Sequence, residues 1–195
     1  AHAQTVTTEI TDAGGKAHAF RVDVADAKAV AAMVGFAVEK TGALHGIVNN
    51  AGIGGLSAPT AEYTVEAWQK VIDINLSGAF YGMRFAIPEI ARAGGGAVVN
   101  VASILGSVGF ANSSAYVSAK HGLLGATKNA ALEHAADGVR VNAVGPGFIH
   151  TPLVTETMDA ATLQLIASKH ALNRLGTSEE VAALILFLLS DRASF

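Results

Sequence analysis

The sequence predicts an α/β fold, a parallel sheet covered by helices on both faces. Three observations predict it. Short apolar runs of strand length alternate with longer stretches whose apolar residues recur at helical spacing. The strand candidates are continuously apolar instead of alternating, as strands buried on both faces are. A chain of 195 residues with 51 % hydrophobic residues, 15 % charged residues and 21 glycines can fill a sizeable core and make many tight turns. A single domain spanning residues 1–195 is expected.

Taken in order, residues 1–13 read as the end of a helix, closed by Gly14 and Gly15. AHAFRVDV (17–24) is predicted as a strand ending at Asp23. DAKAVAAMVGFAVEKTG (26–42) has helical spacing and a glycine stop. LHGIVNNAG (44–52) is a short apolar strand running into a polar loop. Residues 64–92 carry a long helical pattern, predicted as two helices joined near Leu76 to Gly78. GGGAVVNVAS (94–103) is a buried strand, residues 114–136 a helix, and VRVNAVGPG (139–147) another strand. Residues 151–171 read as a lid-like insertion. The stretch 177–191 is a helix with Thr177 or Ser178 as its N-cap.

Composition excludes several functions. A net charge of −3 with no basic cluster argues against a nucleic-acid partner. The absence of cysteine excludes disulfides, zinc–thiolate sites and thiol nucleophiles, and fits a cytoplasmic location. No metal site is read in the chain. The greasiest run, Val181 to Leu189, falls well short of the ~20 residues a membrane span needs, so it is expected to be a buried helix and no membrane partner is expected.

Ligands of parallel sheets bind at the carboxyl ends of the strands. The residues there are Asp23; then Asn49, Asn50, Ala51 and Gly52; then Ser103; then Pro146 and Gly147. All are small or polar. Small residues let a flat ligand approach the backbone, and polar ones can hydrogen-bond it. One such NNAG could be a turn and nothing more; four strand ends in succession are harder to explain that way.

SSAYVSAKHG (113–122) places Tyr116 and Lys120 four residues apart, on one face of the predicted helix. An unperturbed phenol titrates near pH 10 and exchanges protons poorly at neutrality. A cation beside it favours phenolate and is expected to bring it towards the working pH. In a chain with three tyrosines the pair alone is weak evidence, and a solvated helix face is the bland alternative.

DVAD, NNAG, the NV-S strand end, YVSAK and GPGFIHT occur in the order found in short-chain dehydrogenases/reductases, and the chain resembles that family over essentially its whole length. The resemblance implies a Rossmann-like doubly wound parallel sheet, NAD or NADP as cofactor, and hydride exchange with a ketone or secondary alcohol. It implies Tyr116 as acid/base, Lys120 as its pKa-lowering neighbour and ribose ligand, Ser103 holding the substrate oxygen, and Asn75 holding a water of the proton relay. Asp23 and Val24 would contact adenine. Asn50, Ala51 and Gly52 would line the cofactor's ribose and central region, beside Pro146 and Gly147. Ile149 would meet the carboxamide through its backbone, assisted by Thr151. Family members commonly pair into homodimers or homotetramers. Physically the division of labour is sound, because hydroxyls of Tyr116 and Ser103 can both donate to an oxygen gaining negative charge.

Such a fold needs a glycine-rich turn between strand and helix for the pyrophosphate. TGALHGI (41–47) mimics one, but it precedes a strand, and Gly42 is better read as a helix stop. The sheet is therefore expected to be incomplete at both ends, the record of a longer protein, and the residue that would choose between NAD and NADP is not among those read. Residues 151–176 are expected to cover the substrate, with Leu153, Val154 and Met158 as apolar wall and Leu105 and Phe110 beside Ser103. A moderately hydrophobic ketone or alcohol follows, with His150 a bystander. Two alternatives stand beside this reading. One is a non-catalytic Rossmann-like scaffold or oligomerisation fragment. The other is a nucleotide-sugar epimerase or dehydratase, which would need a substrate domain the chain does not provide.

Overall fold

The computed structural model describes residues 2–156 and 158–195; Ala1, within the first predicted helix, and Thr157, within the covering segment, lie outside them. Among the described residues three strands form one parallel sheet in the order β1 (Gly46–Asn49), β2 (Gly96–Val101), β3 (Val139–Val144). The register sets Asn49 opposite Asn100 and Asn100 opposite Ala143. β2 is central, and its Ala97, Val98 and Val99 are completely buried. This is why it reads as an unbroken apolar run.

Side chains alternate across the sheet, and the helices divide accordingly. Val98, Val139 and Val141 face Val34 of α2 (Ala27–Thr41), Met83, Ala86, Ile87 and Ile90 of α4 (Gly78–Arg92), and Ala130 of α5 (Ser114–His134). Arg140 points the other way. Its guanidinium donates to the carbonyls of Leu188 (2.8 Å) and Ser190 (3.2 Å), at the C-terminus of α8 (Ser178–Leu189). A cation there satisfies orphan carbonyls and complements the helix dipole. So α8 packs on the opposite face, but it is not the buried helix expected. None of its residues is buried, and Leu184, Leu186 and Phe187 are exposed, because only one face of a surface helix can rest on the sheet. The remaining helices are α1 (His2–Asp12), α3 (Val65–Ile72), α6 (Pro152–Thr155) and α7 (Ala160–Ser168).

Most predicted starts are visible as caps. Asp26 accepts from Lys28 N–H and Ala29 N–H to open α2. Thr64 accepts from Ala67 N–H to open α3. Thr177, with Glu180 reaching back, makes a reciprocal capping box for α8.

One further expectation is corrected and one adjusted. Residues 17–24 are not a strand: they pair with none of the three strands. A strand needs a neighbour for its backbone groups. The apolar side chains here instead rest on α2, where the Phe20 ring lies 4.9 Å from Phe36 and His18 lies 6.4 Å from it. Residues 64–92 do form two helices, but the join falls at Asp73–Ser77, slightly ahead of the expected Leu76 to Gly78. α3 runs into α4 through one π-helical turn, Asp73–Ser77, which inserts a residue's worth of slack without breaking the path.

Candidate active site

α5 carries Tyr116 and Lys120 on one face, directed at the carboxyl end of β2. Lys120 is buried, and its ammonium donates to the carbonyl of Val101 at 2.7 Å while lying 5.6 Å from the centre of the Tyr116 ring. Ser103 follows the same strand. Its Oγ accepts from Leu105 N–H at 3.2 Å, and its hydroxyl stands near enough to the Tyr116 phenol to favour the ionised form. Ser103, Tyr116 and Lys120 therefore form one continuous group.

The electrostatics differ from the expectation. Burial pushes the Tyr116 phenol up from its usual value, and the neighbouring Ser103 hydroxyl only opposes that rise. Burial also pushes Lys120 down, to about 8. The physical reason is position. Lys120 sits over the ring and spends its bond on a carbonyl, so desolvation governs both groups before their mutual attraction does.

Asn75 sits in the π-helical turn and is almost inaccessible, at 1 % exposure. Its Oδ1 accepts from Ile53 N–H and its Nδ2 donates to the Ile53 carbonyl, both at 2.8 Å. It staples the loop that follows β1, and its amide faces the backbone of Ile53. The stapled loop passes close to the catalytic candidates. A side chain on Gly52 would come within 3.4 Å of Asn75 Oδ1 and 3.8 Å of Lys120 Nζ. The bare backbone at Gly52 leaves a flat shelf beside the Lys120 ammonium, while Asn50 and Ala51 beside it are exposed.

Beneath this shelf runs a buried polar chain that sequence reading did not find. Asn49 Nδ2 donates to Asn100 Oδ1 (2.8 Å), Asn100 Nδ2 to Thr127 Oγ1 (2.9 Å), and Thr127 to the Leu123 carbonyl (2.7 Å). It ties β1, β2 and α5 together just below the strand ends. Gly82 on α4 makes room for it, since a Cβ there would stand 2.0 Å from Asn49 Oδ1. Only the strand register brings these residues together, so no local motif announces them.

The loop after β3 closes one side. Ile104 N–H donates to the Pro146 carbonyl at 2.8 Å, so Pro146 and Gly147 lie against the chain leaving Ser103. Ile149 forms an isolated parallel bridge with Gly176. The Thr151 hydroxyl donates to the Ile149 carbonyl at 3.4 Å, and Thr151 also precedes α6. Leu153 of α6 reaches across to the β1 loop, where a side chain on Gly54 would meet it at 3.8 Å. Phe110 packs on Phe148 with ring centres 6.0 Å apart. His150 is exposed, and its N–H bonds the Gly176 carbonyl.

Asp23 and Val24 lie apart from this group, farther along the α3–α4 path. Val24 packs on Gly78 at the start of α4. Asp23 folds back to accept from Ala25 N–H at 2.9 Å. It also lines an open recess of about 540 Å³ with Glu66, Gln69, Lys70, Asp73 and Ile74. No cluster of three or more metal-ligating side chains occurs among the described residues.

Comparison with known proteins gives consistent results. A family model described as enoyl-(acyl carrier protein) reductase matches residues 1–195. The cyclohexanol dehydrogenase of Acinetobacter sp. (strain SE19) is 50 % identical over 193 residues, covering 99 % of this chain and 75 % of its own. The crystal structure of levodione reductase superposes with a TM-score of 0.93 at 35 % identity, over 100 % of this chain and 78 % of that one. NAD+-bound xylitol dehydrogenase superposes with a TM-score of 0.91 at 26 % identity, over 99 % and 80 % respectively.

Proposed function

The chain belongs to the short-chain dehydrogenase/reductase family, and from that premise we propose how its own residues divide the work. The fold is Rossmann-like, and the protein is an NAD(P)-dependent oxidoreductase acting on secondary alcohols or ketones. Bound nicotinamide supplies or accepts the hydride at the substrate carbon. The Gly52 shelf beside Lys120 fits such a flat ring and its ribose, because a bare backbone lies there within reach of a cation.

Ser103 and Tyr116 hold the substrate oxygen between two hydroxyl donors. Their hydrogen bonds strengthen as that oxygen gains charge, which lowers the barrier to reduction. Tyr116 then delivers its proton to the oxygen. Its upward shift suits this direction, since the phenol stays protonated through neutral pH. Lys120 holds the ribose edge and contributes positive potential below the ring. Asn75 positions the Asn50–Gly52 loop through Ile53, and Asp23 and Val24 meet the adenine end. Ile149 and Thr151 line the carboxamide end with Pro146 and Gly147.

The substrate is an alicyclic secondary alcohol or its ketone. The 50 % identity to a cyclohexanol dehydrogenase and the apolar side chains of Phe110, packed on Phe148, and of Leu153, near Gly54, support that class. Residues 151–176 cover the substrate within a single domain, residues 1–195. Exposed apolar side chains on α3, α4 and α5, including Trp68, Phe80 and Leu132, support a homodimer or homotetramer. No described helix is long and apolar enough to cross a membrane, and a chain without cysteine suits the cytoplasm.

One observation carries the reading: buried Lys120 lies over the Tyr116 ring, beside Ser103 at the end of β2 and the Gly52 shelf. Following NADH and NADPH formation with cyclohexanol, and their oxidation with cyclohexanone, tests it. Turnover that vanishes in Tyr116→Phe supports the assignment. Absence of turnover with a wide panel of alcohols and ketones, despite measurable dinucleotide binding, would turn the reading towards a non-catalytic scaffold.

A further inference from the structure

The covering segment meets the rest of the protein around a recess of about 270 Å³ lined by Phe148, His170, Arg174, Gly176 and Glu180 among others. Its far end is already tied down by backbone. Gly176 N–H donates to the Phe148 carbonyl at 3.0 Å, and His150 N–H donates to the Gly176 carbonyl at 2.9 Å. His170, just past α7, adds a tie made by a side chain. Phe148 N–H donates to His170 Nε2 at 3.2 Å.

That bond fixes the imidazole's chemistry. Nε2 accepts, so it carries no proton, and the proton belongs on Nδ1, which lies 2.9 Å from the Ile166 carbonyl. The ring is thus neutral and held at both nitrogens. Gly147 allows this approach, since a Cβ there would stand 2.9 Å from Nε2. The contact extends further, because Phe148 meets His170 edge-on at 6.1 Å and Phe110 at 6.0 Å. Three segments therefore converge: the one leaving Ser103, the one leaving β3, and the end of α7.

We propose that His170 is a positioning residue, whose neutral imidazole latches the covering segment to the Phe148 backbone and so sets the lip of the substrate pocket. The proposal rests on the reading that the loop after β3 and segment 151–176 border the substrate. Protonation opens the latch. It places a second N–H at Nε2, donor against donor, and leaves Phe148 N–H without its acceptor. The other ionisable groups lining the recess are Arg174, on the chain after α7, and Glu180 of α8. They pair with each other at 2.9 and 2.5 Å, and the pairing holds Glu180 down at about 2. Their charges stay fixed across the range where imidazoles titrate, roughly pH 5 to 8.

The test compares His170→Gln with His170→Leu in the full chain. Glutamine can present an amide oxygen near the position of Nε2 without titrating; leucine removes the acceptor. Kinetics with cyclohexanol and NAD+ or NADP+ from pH 5.5 to 8.5 give the first reading. In wild type, KM for the alcohol should rise about fivefold towards acid, what one net hydrogen bond is worth, separately from the fall in kcat that the raised phenol imposes on oxidation in every variant. His170→Gln should flatten that rise, and His170→Leu should show the raised KM at every pH. Deuterium uptake by the peptide spanning residues 146–151 gives a second reading that needs no turnover. Relative to the intrinsic exchange rate at each pH, its protection should weaken at acid pH in wild type and be weak at all pH in His170→Leu, and stay strong in His170→Gln. A His170→Leu protein with wild-type uptake and a wild-type KM profile overturns the latch. Should His170→Leu fail to fold, an acid response unchanged in His170→Gln overturns it equally. Lack of turnover with every alcohol tried would count against the oxidoreductase reading, while the uptake measurement still decides the latch.

Discussion

Replacing Asn75 with alanine separates two accounts of that residue. On one account its side chain holds a relay water, and its loss slows proton transfer alone. On the other it is chiefly a staple, because both of its observed bonds go to Ile53. Asn75→Ala deletes two hydrogen bonds of 2.8 Å each at a site with 1 % exposure. Each is worth about 1 kcal/mol net, and a partner left unsatisfied costs about 1–3 kcal/mol more. Ile53 is only half buried, so water can recover part of that loss. A total of roughly 3 kcal/mol follows, which for a chain of this size lowers Tm by roughly 6–12 °C. Function should fall with it. The Asn50–Gly52 loop loses its anchor beside Lys120, so KM for the dinucleotide should rise and kcat should fall together. Differential scanning fluorimetry and steady-state kinetics on the same preparation read both. An unchanged Tm and an unchanged dinucleotide KM, with only kcat reduced, would refute the staple and restore the water-holding account.

Further expectations concern the group on α5 and the assembly. Tyr116→Phe keeps the ring and removes the transferred proton, so kcat should drop about 10²–10⁴-fold with Tm nearly unchanged; more than a tenth of wild-type kcat remaining would remove Tyr116 from the role. For Lys120→Met the signs oppose. A lysine pushed down to about 8 makes the folded state bind fewer protons than the unfolded one between there and its ordinary value, so stability rises with pH across that window. At pH 7 methionine should be at least as stable as lysine, an advantage that shrinks above pH 8, while dinucleotide affinity weakens; a methionine variant binding dinucleotide normally would make Lys120 purely structural. The raised phenol also predicts that ketone reduction is favoured at neutral pH and alcohol oxidation climbs into the alkaline range, as pH–rate profiles in both directions will show. Light scattering at micromolar concentration should give a dimer or tetramer, and a strictly monomeric mass would contradict the reading of the exposed apolar helices.

How much of this was legible in the sequence depended on whether a contact is local. Tyr116 and Lys120 share a helix, so their common face follows from spacing alone, and Thr177 with Glu180 caps α8 for the same reason. The buried strand β2 was readable because burial on both faces leaves no room for polar alternation. Residues 17–24 have the same apolar look, yet their side chains serve packing on Phe36 and not a ladder; composition reports burial, and pairing needs a neighbour that composition does not describe. Bonds between distant segments were invisible throughout. Asn49 with Asn100, Asn75 with Ile53, and Phe148 with His170 each need a register or a loop path before the partners can be named. The phenol illustrates the consequence for chemistry. Helical spacing correctly put a cation near Tyr116, but whether that cation lowers the phenol depends on how deeply α5 sinks both groups and where the ammonium finds its acceptor. The Val101 carbonyl, on another strand, claims Lys120 at 2.7 Å, and desolvation then outweighs proximity. Moving that acceptor should move the phenol. Any change that frees Lys120 from Val101 and turns it towards the Tyr116 oxygen should draw the alkaline limb of alcohol oxidation to lower pH.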